Sequence, residues 1–496
     1  MEQHKTPGVY ITEENAFPNS VVEVPTAVPA FIGYTETTKC GGADLVNVPT
    51  RVSSMAEFEQ IFGGQPKLLF LPGSEEGGAD WQLVAHSHFL LYYSMRLFFY
   101  NGGGPCWIVS VGDYGSADAP VIKSARHFEA AWPALSRQVE PTIVVVPDAV
   151  LLPLDDHAAV SNAALQHCAD LRDRIAILDV YNGDRRRTRD AEDVISGSNG
   201  FRQQIRSEQP SFGAAYYPWL KTSVVGLDEL NYTNLTADGR ARLLDMIKAA
   251  SIAEPGNRES APQMIFDLVS NLKDEKALSL AQTHQALLQA SRVYQKVVTD
   301  MLEIVNVMPP SAAMAGILAS IDNTQGVFCA PANTGIVSAS PVVPISDADQ
   351  EDLNTPLDGK SVNAIRTFFG RGVLVWGART LDGNSQDWRY INVRRTMIML
   401  EQSIRLATEA YAFQSNDAGT WRSVKTMIEN FLSGQWKRGA LAGATPADAF
   451  QVSVGLDPDM TATDSSGGFM QVTVKLAIVR PAEFIILSFQ QKMLTS

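Results

Sequence analysis

His86-Ser87-His88 is the most metal-like grouping in the chain. On a strand, i and i+2 rings would share a face, but the surrounding pattern reads as a helix, where they diverge by roughly 200°. Two ordinary helix histidines account for the spacing better than a metal site. Asp148, Asp179, His157 and His167, with the many serines, could furnish parts of a nucleophile–base–acid triad, yet no GxSxG surrounds any serine. Gly102-Gly103-Gly104 lacks the Lys-Ser/Thr of a phosphate loop and precedes a strand, so it reads as a turn. Gly439–Gly443 (GALAG) likewise has no strand before it. Cys40, Cys106, Cys168 and Cys329 lie far apart without CxxC spacing, which favours buried thiols in a reducing compartment over zinc or disulfides. Arg185-Arg186-Arg187 sits among acids and reads as a solvated loop.

The stretch from Val362 to Ala444 is the most distinctive, rich in Arg, Trp and Gly but without His or Cys. All seven histidines precede residue 285, so this stretch has no general base that titrates near neutral pH. Such a segment points to a surface held by other protein, and to assembly before catalysis. No catalytic residue, metal ligand or cofactor site is assigned.

The elements that would carry these residues belong to a large globular chain. At 496 residues, two or three domains are expected. The 45% hydrophobic and 19% charged composition supplies a substantial core. A net charge of −14 argues against a binder of duplex nucleic acid, which needs a basic footprint. The longest apolar patch, Phe89–Tyr100, is short and broken by Arg96, so neither a membrane span nor direct membrane insertion is expected. The first residues, MEQHKTPGVYITEEN, lack a basic region followed by an apolar core, which implies a cytoplasmic start.

Residues 1–30 read as an arm. TPGVYITEE alternates as a short strand, and Pro18, Pro25 and Pro29 keep it from a central sheet position. AFIGY, PCWIVSV, IVVV and IAILDV are buried-strand candidates, with a helix over 156–172 between the last two. That order predicts an α/β layer with parallel pairing. Helices are expected over 53–62, capped by Ser53 or Ser54 and ended by Gly63, over 81–100, from the 240s to 253, and over 277–305. Val393, Met397, Leu400, Ile404, Ala407 and Tyr411 form one helical face. A second helix capped by Asn416 or Asp417 carries Trp421, Val424, Ile428, Phe431 and Leu432, and Thr445-Pro446-Ala447-Asp448 starts a third. Strands over 470–479 and 483–490 close the chain.

TPGVYI, AVPAFIGYTE, FFYNGGGPCWIVSVG, AAYYPWLK, PPSAAMAGILASID, GVFCAPAN, IRTFFGRGVLVWGARTL, WRYINVRR and VRPAEFIIL occur in order from residue 6 to residue 487. Together they resemble the contractile tail sheath proteins of phages and related injection systems, over nearly the whole chain. The length looks closest to sheaths of extracellular, phage-tail-like particles.

The resemblance implies a central α/β domain of subtilisin-like topology without protease chemistry, a C-terminal α/β domain, and strand arms at both ends. The implied limits are 1–30 for the N-terminal arm, 31–360 for the central domain, 361–480 for the C-terminal domain and 481–496 for the C-terminal arm. It implies a structural subunit that stacks as hexameric rings around an inner tube and contracts to drive that tube through a target envelope. Its partners would be further copies of itself, paralogous sheath subunits, the inner tube protein, and baseplate and terminal cap proteins. It would assemble in the cytoplasm into a phage tail or a released tail-like particle. The arms implied to join subunits contain Gly8, Val9, Tyr10, Ile11 and Glu13 at one end and Phe484, Ile485, Ile486, Leu487 and Phe489 at the other. Trp421, Lys425, Trp436, Lys437 and Arg438 are the candidate tube-facing residues, although Lys437 and Arg438 also suit an ordinary helix C-terminus. The alternatives are a soluble subtilisin-fold hydrolase and another tail component, such as a cap or baseplate protein.

Overall fold

Continuous apolar runs such as PAFIGYT and IAILD, with no polar alternation, suit strands covered on both faces. In a computed structural model, which describes residues 20–73, 80–116, 119–253, 280–455 and 469–484, these runs form the middle of a nine-stranded sheet. Its order is Thr334–Gly335, Gly372–Trp376, Asn363–Phe368, Gly213–Tyr217, Ile175–Asp179, Ile143–Val145, Pro29–Thr35, Cys106–Asp113 and Thr50–Val52. The six strands from Asn363–Phe368 to Cys106–Asp113 are parallel. Antiparallel strands finish both ends. The fold is thus mixed α/β. Leu154–Leu171 is one crossover helix, linking Ile143–Val145 to Ile175–Asp179 as expected of parallel neighbours.

Two helices set the closest packing. Leu91–Tyr100 lies against the Pro29–Thr35 strand, and Ser311–Thr324 lies against both that helix and the sheet. The small residues of SAAMAGILAS allow the approach: a Cβ at Gly316 would fall 2.5 Å from the Phe98 carbonyl oxygen and 3.0 Å from Asn101 Cβ. Backbone, not a movable side chain, fills that space.

Several expected elements hold. Ser54 caps the Met55–Phe62 helix by accepting from Glu57 N–H, and Gly63 ends it at φ 85°. The 81–100 helix does not form as one piece. Trp81–Leu83 pairs as a strand with Phe70–Pro72, a short turn covers Ala85–Ser87, and the helix proper begins at Leu91. The 277–305 helix is also divided, into Leu280–Ala290 and Arg292–Val305, because the Ser291 hydroxyl accepts from Tyr294 N–H and starts a new helix.

The chain divides into two compact units, Pro25–Arg395 and Met1–Val24 with Thr396–Ser496. The division falls within the Ile391–Glu409 helix, not at residue 360, because the Asn363–Trp376 hairpin completes the nine-stranded sheet. In the C-terminal unit, Asp417 accepts from Gly419 and Thr420 N–H to cap Ala418–Lys437. That helix buries Val424, Met427, Ile428 and Leu432 and packs on an antiparallel hairpin, Phe450–Val454 with Val472–Leu476. Thr445 and Asp448 form a reciprocal cap around Pro446–Ala449.

Gly316→Leu should lower stability by roughly 1–3 kcal/mol or more through overpacking, read as a lower denaturant midpoint at unchanged slope. A midpoint equal to that of the parent would show that the two helices are free to separate.

Candidate functional site

The groups that could have formed a triad are structural. Asp148 is fully buried; its Oδ1 accepts from Leu90 N–H at 2.6 Å and its Oδ2 from Tyr34 N–H at 2.8 Å. It therefore supports the start of the Leu91–Tyr100 helix and the end of a central strand together. Asp179, last residue of its strand, accepts from Ser311 N–H at 2.9 Å and Ser311 Oγ at 2.5 Å, which opens the Ser311–Thr324 helix. Burial pushes Asp148 above the usual carboxylate range and Asp179 up to about 7, partly opposed by the hydrogen bonds each accepts.

His157 bonds Gln204 at 3.0 Å, and His167 meets Arg174 at 3.4 Å. Burial lowers both imidazoles, His167 to about 4. Among the described residues no serine hydroxyl bonds either ring. His157, Ser161 and Asp179 do line one cavity, but at about 10 Å³ it holds at most a single water. No substrate fits there.

His86 is exposed while His88 is half-buried and lowered to about 4 by desolvation. The described residues contain no cluster of three or more His, Cys, Asp or Glu able to hold a metal. A larger cleft, about 570 Å³, joins Asp80, His88, Asp184, Trp219 and Glu303 around Lys296, whose ammonium bridges Asp80 and Asp300 at 2.7 Å each. It holds paired charges but no activated nucleophile. Of the four cysteines, Cys106 and Cys168 are buried, and burial pushes both thiols far up; Cys40 and Cys329 are half-buried. Among the described residues no helix is long and apolar enough to cross a membrane.

The arginine-rich stretch turns inward more than its sequence suggests. Arg394 stacks over Trp388 at 3.7 Å and Phe212 at 4.3 Å, and donates to Ser211 Oγ at 2.6 Å. Arg395 forms a bidentate pair with Asp322 (2.6 and 2.9 Å), each side chain 4% exposed, and also donates to the Thr26 carbonyl at 2.9 Å. Thr26 Oγ1 in turn donates to Asp322 at 2.5 Å. Arg379 reaches the Asn354 and Gly383 carbonyls. These side chains join distant segments within the Pro25–Arg395 unit. Arg187 departs from the solvated loop expected of 185–187: it is buried against Asp193 and Asp352, and only Arg185 and Arg186 are exposed. Their signal in the sequence was the excess of arginine itself; Asp322 lies 73 residues from Arg395 and Asp352 165 from Arg187, although Asp193, the other partner of Arg187, is only 6 away.

Of the expected inter-subunit residues, Gly8, Val9, Tyr10, Ile11, Glu13, Ile485, Ile486, Leu487 and Phe489 lie outside the described residues. Phe484 is 72% exposed. Trp421, Lys425 and Trp436 fall on one side of the Ala418–Lys437 helix by its 3.6-residue period, and Lys437 is turned roughly 100° away. Trp421 Nε1 donates to Asn416 Oδ1 at 2.7 Å and Trp436 Nε1 to the Gly443 carbonyl at 3.0 Å. Lys425 and Lys437 are exposed. Arg438 is held by the Glu23 carboxylate, which also accepts from buried Gln435 at 3.0 Å. Val24 N–H donates to Ser403 Oγ at 3.1 Å, so residues 23 and 24 are tied to the C-terminal unit that contains them.

Residues 384–492 match the family model for the phage tail sheath C-terminal domain. Over 134 residues, 27% of the chain, the sequence is 25% identical to the tail sheath protein of Enterobacteria phage T4, a match that spans only 20% of that protein. Solved structures are similar over the full length. The PVC sheath complex of an extracellular contractile injection system, in its contracted state, is 25% identical with 99% of each chain covered and a TM-score of 0.59. The contracted helical sheath of the anti-feeding prophage is 26% identical, with 99% and 100% covered and a TM-score of 0.60. A chain of the anti-feeding prophage baseplate is similar at 26% identity and a TM-score of 0.61 over 99% and 100%.

Arg395→Ala leaves Asp322 buried without its guanidinium and should cost roughly 3–5 kcal/mol, against under about 1 kcal/mol for Arg405→Ala in the exposed pair with Glu409. Equal losses in denaturant unfolding would contradict that ranking. For Asp179 the folded pKa is raised, so the folded state binds more protons between about pH 4 and pH 7. Its contribution is complete below the unfolded value and is lost as pH rises through that window. Asp179→Asn should remove this slope, so the gap in stability between variant and parent moves in the variant's favour from pH 4 to pH 8. A gap independent of pH would mean that the carboxyl titrates normally.

Proposed function

We propose, from this chain's membership of the contractile tail sheath protein family, that it is a structural subunit that polymerises as helically stacked hexameric rings around an inner tube. Contraction of the polymer drives the tube through a target envelope. The observation that carries this reading is similarity across 99% of the chain to two sheaths solved in the contracted state. Those relatives are structural proteins, which favours a non-enzymatic role. The enclosed, helix-capping environment of the acids that a hydrolase would have needed is consistent with it.

The partners in this reading are other copies of the chain, the inner tube protein, and baseplate and cap proteins. A similar chain within a baseplate structure supports the baseplate association. Subtilisin-like topology for the central domain belongs to the same reading, supported by the six adjacent parallel strands.

Arms supply the connectivity. The C-terminal unit contains a sheet with two strands among the described residues, Phe450–Val454 and Val472–Leu476. A two-stranded sheet is marginal alone and leaves edges open for added strands. Residues 8–13 and 483–490 of neighbouring copies would fill those edges. Each added backbone hydrogen bond contributes about 0.5–1.5 kcal/mol, so one joint is weak but the closed rings of a lattice multiply it. Joints of this kind can persist while the bodies rotate and repack, and contraction then draws on new body-to-body contacts instead of nucleotide hydrolysis. Trp421, Lys425 and Trp436 would present one face to the tube, with Lys437 and Arg438 reaching it from the C-terminal end of the helix.

Negative-stain microscopy of the full chain, alone and with its tube protein, tests the reading. Hollow striated cylinders of sixfold symmetry are expected, and a variant lacking residues 1–13 should yield only short or unlinked species. Particles of single-chain mass from the full chain under both conditions would exclude a sheath.

A further inference from the structure

The hairpin of Asn363–Phe368 and Gly372–Trp376 carries two arginines, two phenylalanines and a tryptophan, with no acid anywhere from Asn363 to Trp376. Its loop is short because Phe368 pairs with Gly372, and Gly370 and Gly372 take φ of 73° and 78°. Those left-handed conformations suit glycine, and they hold Phe369 at the apex, where it is 106% exposed. Behind it the tip is built, not loose. The Phe368 and Trp376 rings lie 4.5 Å apart, and the Arg371 guanidinium spans them at 5.8 and 5.5 Å. Arg366 sits 5.4 Å over Phe368 and reaches Asp347 at 2.7 Å. Arg371 bonds only the neutral Asn333 side-chain oxygen, and no carboxylate among the described residues pairs with it.

An exposed aromatic beside an unneutralised guanidinium, both held by a rigid turn, has the make-up of an interface anchor. We propose that this tip docks onto a second copy of the same chain, with Phe369 entering an apolar recess and Arg371 pairing with a carboxylate of the neighbour. Charge argues for that occupant: the chain carries 54 acids against 40 basic residues, so its own surface is rich in the groups that an acid-free cationic tip lacks. The recess and the tip are different surfaces, so the contact runs head to tail, giving a ring where the rotation closes and a helical array where it does not. This inference rests on the sheath reading and adds to the arm joints a contact between the globular bodies.

The test compares the full chain with Phe369→Ser, Arg371→Glu and, as control, Phe413→Ser, an exposed phenylalanine outside the hairpin sequence. Polymer yield by sedimentation and microscopy is read beside the thermal midpoint of the unassembled protein. Expected are roughly tenfold or greater losses of polymer for both tip variants, with midpoints unchanged and the control polymerising like the parent. Tip variants that polymerise like the parent overturn the proposal and leave the sheath reading standing. Variants that form normal polymer but no longer retain the tube also overturn it, by placing the tip against the tube. A parent chain that never polymerises removes the sheath reading and this contact together.

Discussion

A buried helix start must satisfy its backbone N–H groups without water, and this requirement organises the centre of the molecule. Asp148 and Asp179 meet it at the Leu91–Tyr100 and Ser311–Thr324 helices. Each carboxylate also ties its helix to the parallel sheet, Asp148 through Tyr34 N–H and Asp179 through its own place at a strand end. The close contact at Gly316 and the shielding of the sheet depend on where those helices begin. The cost is desolvation of two acids, visible in their raised pKa values.

A second set of contacts, built on buried guanidiniums, works by the same logic. Arg395 with Asp322 and Thr26, and Arg187 with Asp193 and Asp352, are multidentate arrangements in which each guanidinium meets several acceptors. Such pairs contribute little net stability relative to apolar replacements, because desolvation offsets much of the attraction. What they impose is geometry. A planar fork accepts few orientations, so the segments they join are held in one arrangement. If the chain moves as a body within a polymer, as in the proposed function, an interior that resists rearrangement directs change to the contacts between copies.

Exposed features then divide the remaining work. The net acidic chain, the C-terminal sheet with its two strands among the described residues, and the cationic aromatic hairpin are chemically different, and they suit different partners. Strand addition is tolerant of side chains because it uses the backbone. A guanidinium–aromatic plug is selective, since it needs a carboxylate and a recess together. A polymer using both could keep its connectivity through the first while changing state through the second.

Local patterning determined much of this by itself. Apolar runs located the buried strands around Ala30, Ile143 and Ile175, and capping residues narrowed three helix starts to Ser53 or Ser54, Asn416 or Asp417, and Thr445, because both signals act within a few residues of the chain. The ordered motifs from residue 6 to residue 487 were enough to indicate the family. Tertiary structure alone decided the rest. Whether 81–90 coils or pairs depended on a strand partner at Phe70–Pro72 and an acceptor at Asp148. The stretch from Val362 onward read as one exposed surface, yet its arginines separate into buried connectors and a projecting tip according to acids far away in sequence. A charge carries no record of its partner in its own neighbourhood; only the fold brings the two together and sets whether water lies between them.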